Sequence, residues 1–121
     1  RVIAVDLQQQ MLDVLDKRAR RAGVADRIVL HRCRPDSLGV EESADFALAF
    51  WMAHEVPDKL RFFREIFAFL KTGGRLLLAE PKFHVTMKSL ERTIAFCREA
   101  GFRDLEAPAI ALSRAVLMGK E

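Results

Sequence analysis

The sequence predicts an α/β domain whose mostly parallel sheet is covered by helices on both faces. Three observations predict it. Short apolar runs alternate with stretches whose apolar residues recur every 3.6 positions. Two of those runs, DFALAFW and RLLLAE, carry almost no polar alternation, as strands buried on both sides do. The chain has 121 residues, half of them apolar, which is enough for one packed core, so a single domain over 1–121 is expected.

The elements follow in order. Val2 to Asp6 reads as a strand, and the helix after it keeps Met11, Leu12, Leu15, Ala19 and Ala22 on one face until Gly23. Ile28 to His31 is a second strand, separated from DFALAFW by the loop RPDSLGVEES. Asp58 can cap the next helix, with Leu60, Phe63, Ile66, Phe67 and Leu70 as its apolar stripe and Gly73 and Gly74 as its stop. RLLLAE is a further strand. Thr86 to Ala100 reads as a helix with Met87, Leu90, Ile94 and Cys97 on one face, stopped by Gly101. Phe102 to Ala107 and Ile110 to Met118 are the closing strands, the last of them expected to be antiparallel.

Composition narrows the function classes. A formal charge of +3, with Lys17, Arg18, Arg20 and Arg21 interleaved with Asp13 and Asp16 on one helix, describes a solvated face and gives no footprint for nucleic acid. No apolar run is long enough to span a bilayer, and no leader precedes the first strand, so a cytoplasmic protein without a membrane partner is expected. Cys33 and Cys97 lack metal-ligand spacing and read as reduced thiols.

The series VIAVDL, DFALAFWMAHEVPD, LKTGGRLLLAEPK and a helix ending EAGF resembles the class I methyltransferases that use S-adenosylmethionine, most nearly the small bacterial and archaeal enzymes related to the ubiquinone and menaquinone methyltransferases. The resemblance implies a Rossmann-like three-layer sandwich with a mostly parallel sheet and an antiparallel last strand. It also implies a first strand bearing an E/D-x-G-x-G-x-G loop, and a first helix, ahead of Val2. Neither is present, so the chain is expected to run from the second strand of such a domain to its C-terminus. The sheet edges left unpaired by that missing strand allow a second copy of the chain to associate.

The same resemblance implies site residues, each with a plainer alternative. Asp6, at a strand end, would accept both ribose hydroxyls of the cofactor, or would simply cap the helix that follows; Leu7 would lie along the adenine. An acid is expected after the next strand to meet the adenine amino group. Here the stretch is HRCRPDSL, where Asp36, Ser37 and Leu38 either serve that role or form a turn. Phe50, Trp51 and Met52 suit an adenosyl sulfonium, or fill the core. His54 and Glu55 are the catalytic candidates, with His54 able to take a proton from an acceptor near neutral pH, or to serve only as a loop residue. Glu80 would orient a substrate group, and Lys82 or His84 would line the acceptor mouth, or Lys82 would be only a solvated loop charge.

Three readings stand at this point. The first is methyl transfer from S-adenosylmethionine to a small-molecule acceptor. The second is a non-catalytic protein of the same fold that binds a nucleoside or a protein partner, favoured by the HRCRPDSL departure. The third is a fragment of a nicotinamide dinucleotide oxidoreductase, because an acid after the second strand also suits that cofactor; GGRLLLAEPK argues against it.

Overall fold

The computed structural model describes residues 1–121. They form two compact units, Arg1–Val40 and Glu41–Glu121. No helix is long and apolar enough to cross a membrane.

In the first unit, β1 (Val2–Asp6) and β2 (Ile28–Arg32) pair in parallel, with Val2 opposite Ile28 and Asp6 opposite Arg32. The crossover between them is α1 (Gln9–Arg21), which buries Leu12 and Ala19. Met11, assigned to the same stripe by periodicity, is half exposed. Arg18, Arg20 and Arg21 crowd the last turn, where cations complement the helix dipole. The helix closes at Gly23 as its sequence implies: the Gly23 N–H donates to the Arg20 carbonyl and the Val24 N–H to that of Ala19.

The second unit contains β3 (Ala44–Phe50), α2 (Lys59–Phe69), β4 (Leu70–Pro81), α3 (Met87–Ala100), β5 (Arg103–Glu106) and β6 (Ser113–Gly119). Its sheet has the order β3-β4-β6-β5, with β3 parallel to β4 and β6 antiparallel to both β4 and β5. The mixed, mostly α/β plan and the antiparallel last strand agree with the sequence. The two closing strands are each shorter than their apolar runs, because Phe102 serves the turn out of α3 and Ile110 the turn into β6.

Side chains alternate across a strand, so Leu76, Leu78 and Glu80 share one face of β4. All three are fully buried, and Val116 and Met118 of β6 join them. The helices α2 and α3 pack against each other and so lie on one side of this sheet; Phe62, Phe63 and Ile66 of α2 and Leu90, Thr93 and Cys97 of α3 are buried. The expectation that DFALAFW is buried on both sides is not met. Phe46, Leu48 and Phe50 alternate on the other face of β3 and remain 51, 60 and 47% exposed.

Capping follows the sequence at both helices. The Asp58 carboxylate accepts from the Arg61 N–H at 3.0 Å, and the Thr86 hydroxyl from the Ser89 N–H at 3.1 Å. Gly101 takes φ 118° at the end of α3, and a Cβ there would meet the Phe67 ring at 2.8 Å, so both backbone and packing require glycine. Gly73 and Gly74 do not stop α2, which has already ended at Phe69. They lie inside β4, where the register jumps from Ala44 opposite Leu70 to Phe46 opposite Arg75 and the intervening residues bulge out. The stop comes from Lys120: its ammonium donates to the Phe67 and Leu70 carbonyls, each at 2.7 Å, and sits 4.5 Å from the Phe67 ring centroid.

Candidate functional site

In the first unit, parallel pairing brings the carboxyl ends of β1 and β2 side by side. Asp6 ends β1, and its Oδ1 accepts the Gln8 N–H at 2.8 Å, so the helix-capping alternative is realised. Oδ2 has no partner, and a carboxylate oxygen accepts more than one hydrogen bond, so the group keeps capacity for a ligand diol. Leu7 is exposed beside it, and its carbonyl accepts from Arg32 Nε at 3.3 Å. The Cys33 N–H donates to the Asp6 carbonyl, which leads β2 directly into the next turn. That turn has Pro35 and Asp36 at its centre, closed by mutual backbone bonds between Arg34 and Ser37, so the turn alternative holds for this segment too. Asp36 is exposed; Ser37 is half-buried, and the Leu38 carbonyl lies 2.7 Å from His31 Nε2. Asp6, Leu7 and the Asp36–Leu38 turn thus share one end of the small sheet, the carboxyl end at which α/β sheets bind ligands.

In the second unit the residues after β3 gather over the end of β4. Phe50 and Trp51 stack with ring centroids 5.2 Å apart and planes within 7°. Neither fills the core; both keep a solvent-facing surface. Trp51 has φ 57°, a left-handed conformation that costs a bulky L-residue about 1–2 kcal/mol. Two hydrogen bonds hold it there: its N–H donates to the Ala79 carbonyl at 2.7 Å, and indole Nε1 donates to Ser113 Oγ at 2.8 Å. Met52 is half-buried and leads into a 3₁₀ turn, Ala53–Glu55.

That turn presents His54 to Glu80. His54 Nδ1 lies 3.0 Å from Glu80 Oε2, and the Glu80 side chain is only 1% exposed. Oε1 is buried with no hydrogen-bond partner. With Glu80 as the acceptor, Nδ1 is the donor and Nε2 is the ring nitrogen left open. The imidazole is 26% exposed and its ring centroid stands 6.5 Å from that of His84. Glu55, the other catalytic candidate, is 75% exposed, its oxygen 3.9 Å from Nε2, beyond hydrogen-bond range. The partner of His54 is Glu80, a residue the sequence suggests for orienting a substrate group. A signal for it exists: a charge at i+4 from Leu76 and i+2 from Leu78 falls on the helix-covered face, where an acid stays only with a partner. Lys82 is exposed, with its N–H on the Leu112 carbonyl; Arg114 donates through Nε to the Val85 carbonyl at 2.9 Å.

The sequence matches the family model described as methyltransferase domain over residues 1–78. No curated protein matches it. Among solved structures it is similar to a SAM dependent methyltransferase from Aquifex aeolicus, with a TM-score of 0.84 and 17% identity over 98% of this chain and 68% of that one. It is also similar to an O-methyltransferase family 2 protein from Planctomyces limnophilus, solved with apigenin (TM-score 0.80, 20% identity, 98% of this chain and 42% of that one). A third is the cyclase SpnF (TM-score 0.76, 22% identity, 89% of this chain). The chain spans 45% of SpnF, so about half the length of such relatives. Their fold is the Rossmann-like α/β fold with antiparallel strands closing the sheet, the arrangement of β4, β6 and β5 here. With the family model matched through β1, β2, β3 and most of β4, the chain belongs to the methyltransferase domain family.

Proposed function

We propose that the protein transfers a methyl group from S-adenosylmethionine to an oxygen of a small-molecule acceptor, with His54 receiving the proton that the acceptor loses. The observation that carries this reading is the buried Glu80 carboxyl group holding Nδ1 of the partly exposed His54 ring at 3.0 Å. Methyl transfer to a thiolate or a free amine needs no base; a protonated hydroxyl does. An imidazole with its tautomer set by a buried acid is suited to that task. Glu80 positions the ring and Glu55, exposed, has no part in the chemistry.

The residues fit the cofactor. When bound, S-adenosylmethionine supplies an electrophilic methyl group on a sulfonium. In residues 1–40, Asp6 has a free carboxylate oxygen for a ribose hydroxyl, Leu7 offers an apolar surface for adenine, and Asp36, Ser37 and Leu38 form the adjoining turn. In residues 41–121, Phe50, Trp51 and Met52 offer aromatic and thioether surface of the kind that attracts a cation. The resemblance of the sequence to the ubiquinone and menaquinone methyltransferases, and the apigenin in complex with the Planctomyces limnophilus protein, make phenolic acceptors the first to assay.

Calorimetry with S-adenosylhomocysteine and with NAD, followed by transfer of labelled methyl to a panel of phenols and alcohols, tests the reading. Binding of S-adenosylhomocysteine that Asp6→Ala weakens, together with turnover that His54→Gln abolishes without loss of that binding, is expected. Binding of NAD alone, or turnover indifferent to His54, overturns it. The HRCRPDSL turn favours one further reading, a nucleoside-binding protein without activity, which predicts the same binding and no labelled product.

A further inference from the structure

We propose that Ser113 is a positioning residue that fixes the indole of Trp51 as a preformed face for the positively charged end of the methyl donor; this rests on the donor-packing role given above to Phe50–Met52. Ser113 stands 62 residues from Trp51 and on β6, while Trp51 follows β3, and β4 lies between those strands. The indole therefore reaches over the end of β4 to find its partner. The Ser113 hydroxyl donates to the Ala111 carbonyl at 3.1 Å, so its proton is committed there and a lone pair faces indole Nε1. Ser113 itself is buried and is delivered by Leu112, whose φ of 60° is the second left-handed non-glycine conformation in the chain. The Leu112 carbonyl accepts the Lys82 N–H, and the Trp51 N–H is accepted by Ala79, so both strained residues are tied to β4 by backbone as well.

Packing alone does not explain this arrangement. A tryptophan kept for the core would be buried, whereas here 37% of Trp51 faces solvent while its backbone is strained and its polar atom is engaged. Strain held in place by surrounding hydrogen bonds is a feature of sites that bind. A tryptophan stacked on phenylalanine, with its plane fixed, presents the ring surface that attracts cations best among aromatics.

The test compares Ser113→Ala, Ser113→Thr and Trp51→Phe with the wild-type full chain. Trp51 is the only tryptophan, so emission reports on it alone. Without ligand, Ser113→Ala is expected to shift the emission maximum and raise acrylamide quenching, with Ser113→Thr restoring both. In calorimetry, Ser113→Ala and Trp51→Phe are expected to weaken S-adenosylmethionine by about fivefold, as loss of one hydrogen bond or cation–π contact does. The neutral S-adenosylhomocysteine should change by less than about twofold, since it lacks the charge that the ring face attracts. Equal weakening of both ligands, or none, overturns the proposal while leaving the methyltransferase reading intact. Failure of the wild-type chain to bind either ligand overturns both. If Ser113→Ala does not fold, Trp51→Phe decides the matter on the same charge-dependent ratio.

Discussion

His54→Ala is expected to unfold the second unit far more easily than an exposed histidine would. The Glu80 carboxyl group is buried, accepts its one hydrogen bond from His54 and has no partner for Oε1. Removing one member of a buried pair costs about 3–5 kcal/mol in general. Here the imidazole is 26% exposed, so water can enter the space it leaves, and a cost just below that range, about 2–3 kcal/mol, applies. With a urea slope of about 1.5 kcal/mol/M, the unfolding midpoint falls by about 1.3–2 M. Removing both partners should recover most of the loss, because the carboxyl group left unpaired dominates the cost and not the missing bond. The double variant His54→Leu with Glu80→Met is thus expected to unfold within about 1 kcal/mol of wild type. A His54→Ala midpoint indistinguishable from wild type, or a double variant less stable than His54→Ala, refutes this account of the pair.

Other expectations follow from the packing. Gly101→Ala places a methyl group against the Phe67 ring and a side chain at φ 118°, so a loss of about 1–3 kcal/mol in chemical denaturation is expected, against a few tenths for an ordinary surface change. Leu48→Lys, on the open face of β3, is expected to change unfolding free energy by less than about 0.5 kcal/mol; a larger loss would mean that this face is packed in solution. Burial pushes the Cys97 thiol up from 9.0 to about 12. In a Cys33→Ser background, no thiol should react with Ellman's reagent at pH 8 until the chain unfolds. Below pH 9 folded and unfolded chains both keep the Cys97 proton; between 9 and 12 the unfolded thiol ionises first, so this group's contribution to stability declines as pH rises, and replacement of Cys97 by alanine should flatten that decline in a pH series of denaturation curves.

Much of the fold was legible because local chemistry decides it. Asp58 and Thr86 precede apolar periodicity and do cap, and Gly101 ends α3 with the positive φ that its residue type allows. The glycine pair at 73–74 misled for an instructive reason: two glycines after a helical stripe read as a stop, yet Leu70 already pairs with Ala44 and the glycines serve a bulge that only the neighbouring strand reveals. DFALAFW likewise looks buried on both sides by composition, while its exposure depends on what covers each face. In the candidate site, sequence order carries residues to the strand ends but not across them. His54 meets Glu80 and Trp51 meets Ser113 because β4 lies between β3 and β6, an order set by pairing over tens of residues. Glu55 attracted attention as the acid adjacent to His54, but neighbours in a tight turn point apart, and the acid that reaches the ring comes from another strand.

The ammonium of Lys120 has a consequence for the order in which order itself is acquired. The Phe67 and Leu70 carbonyls at the end of α2 are satisfied by a residue some 50 positions further along, so beyond the bond from the Leu70 N–H to the Ile66 carbonyl the helix terminus leans on a distant partner. It becomes secure only when β6 has docked on β4, so the tail of α2 and the seating of the last strand are one cooperative event. Deuterium uptake at Phe67–Leu70 should accordingly track rupture of the β4–β6 ladder, and not the fraying rate that an autonomous helix end would show.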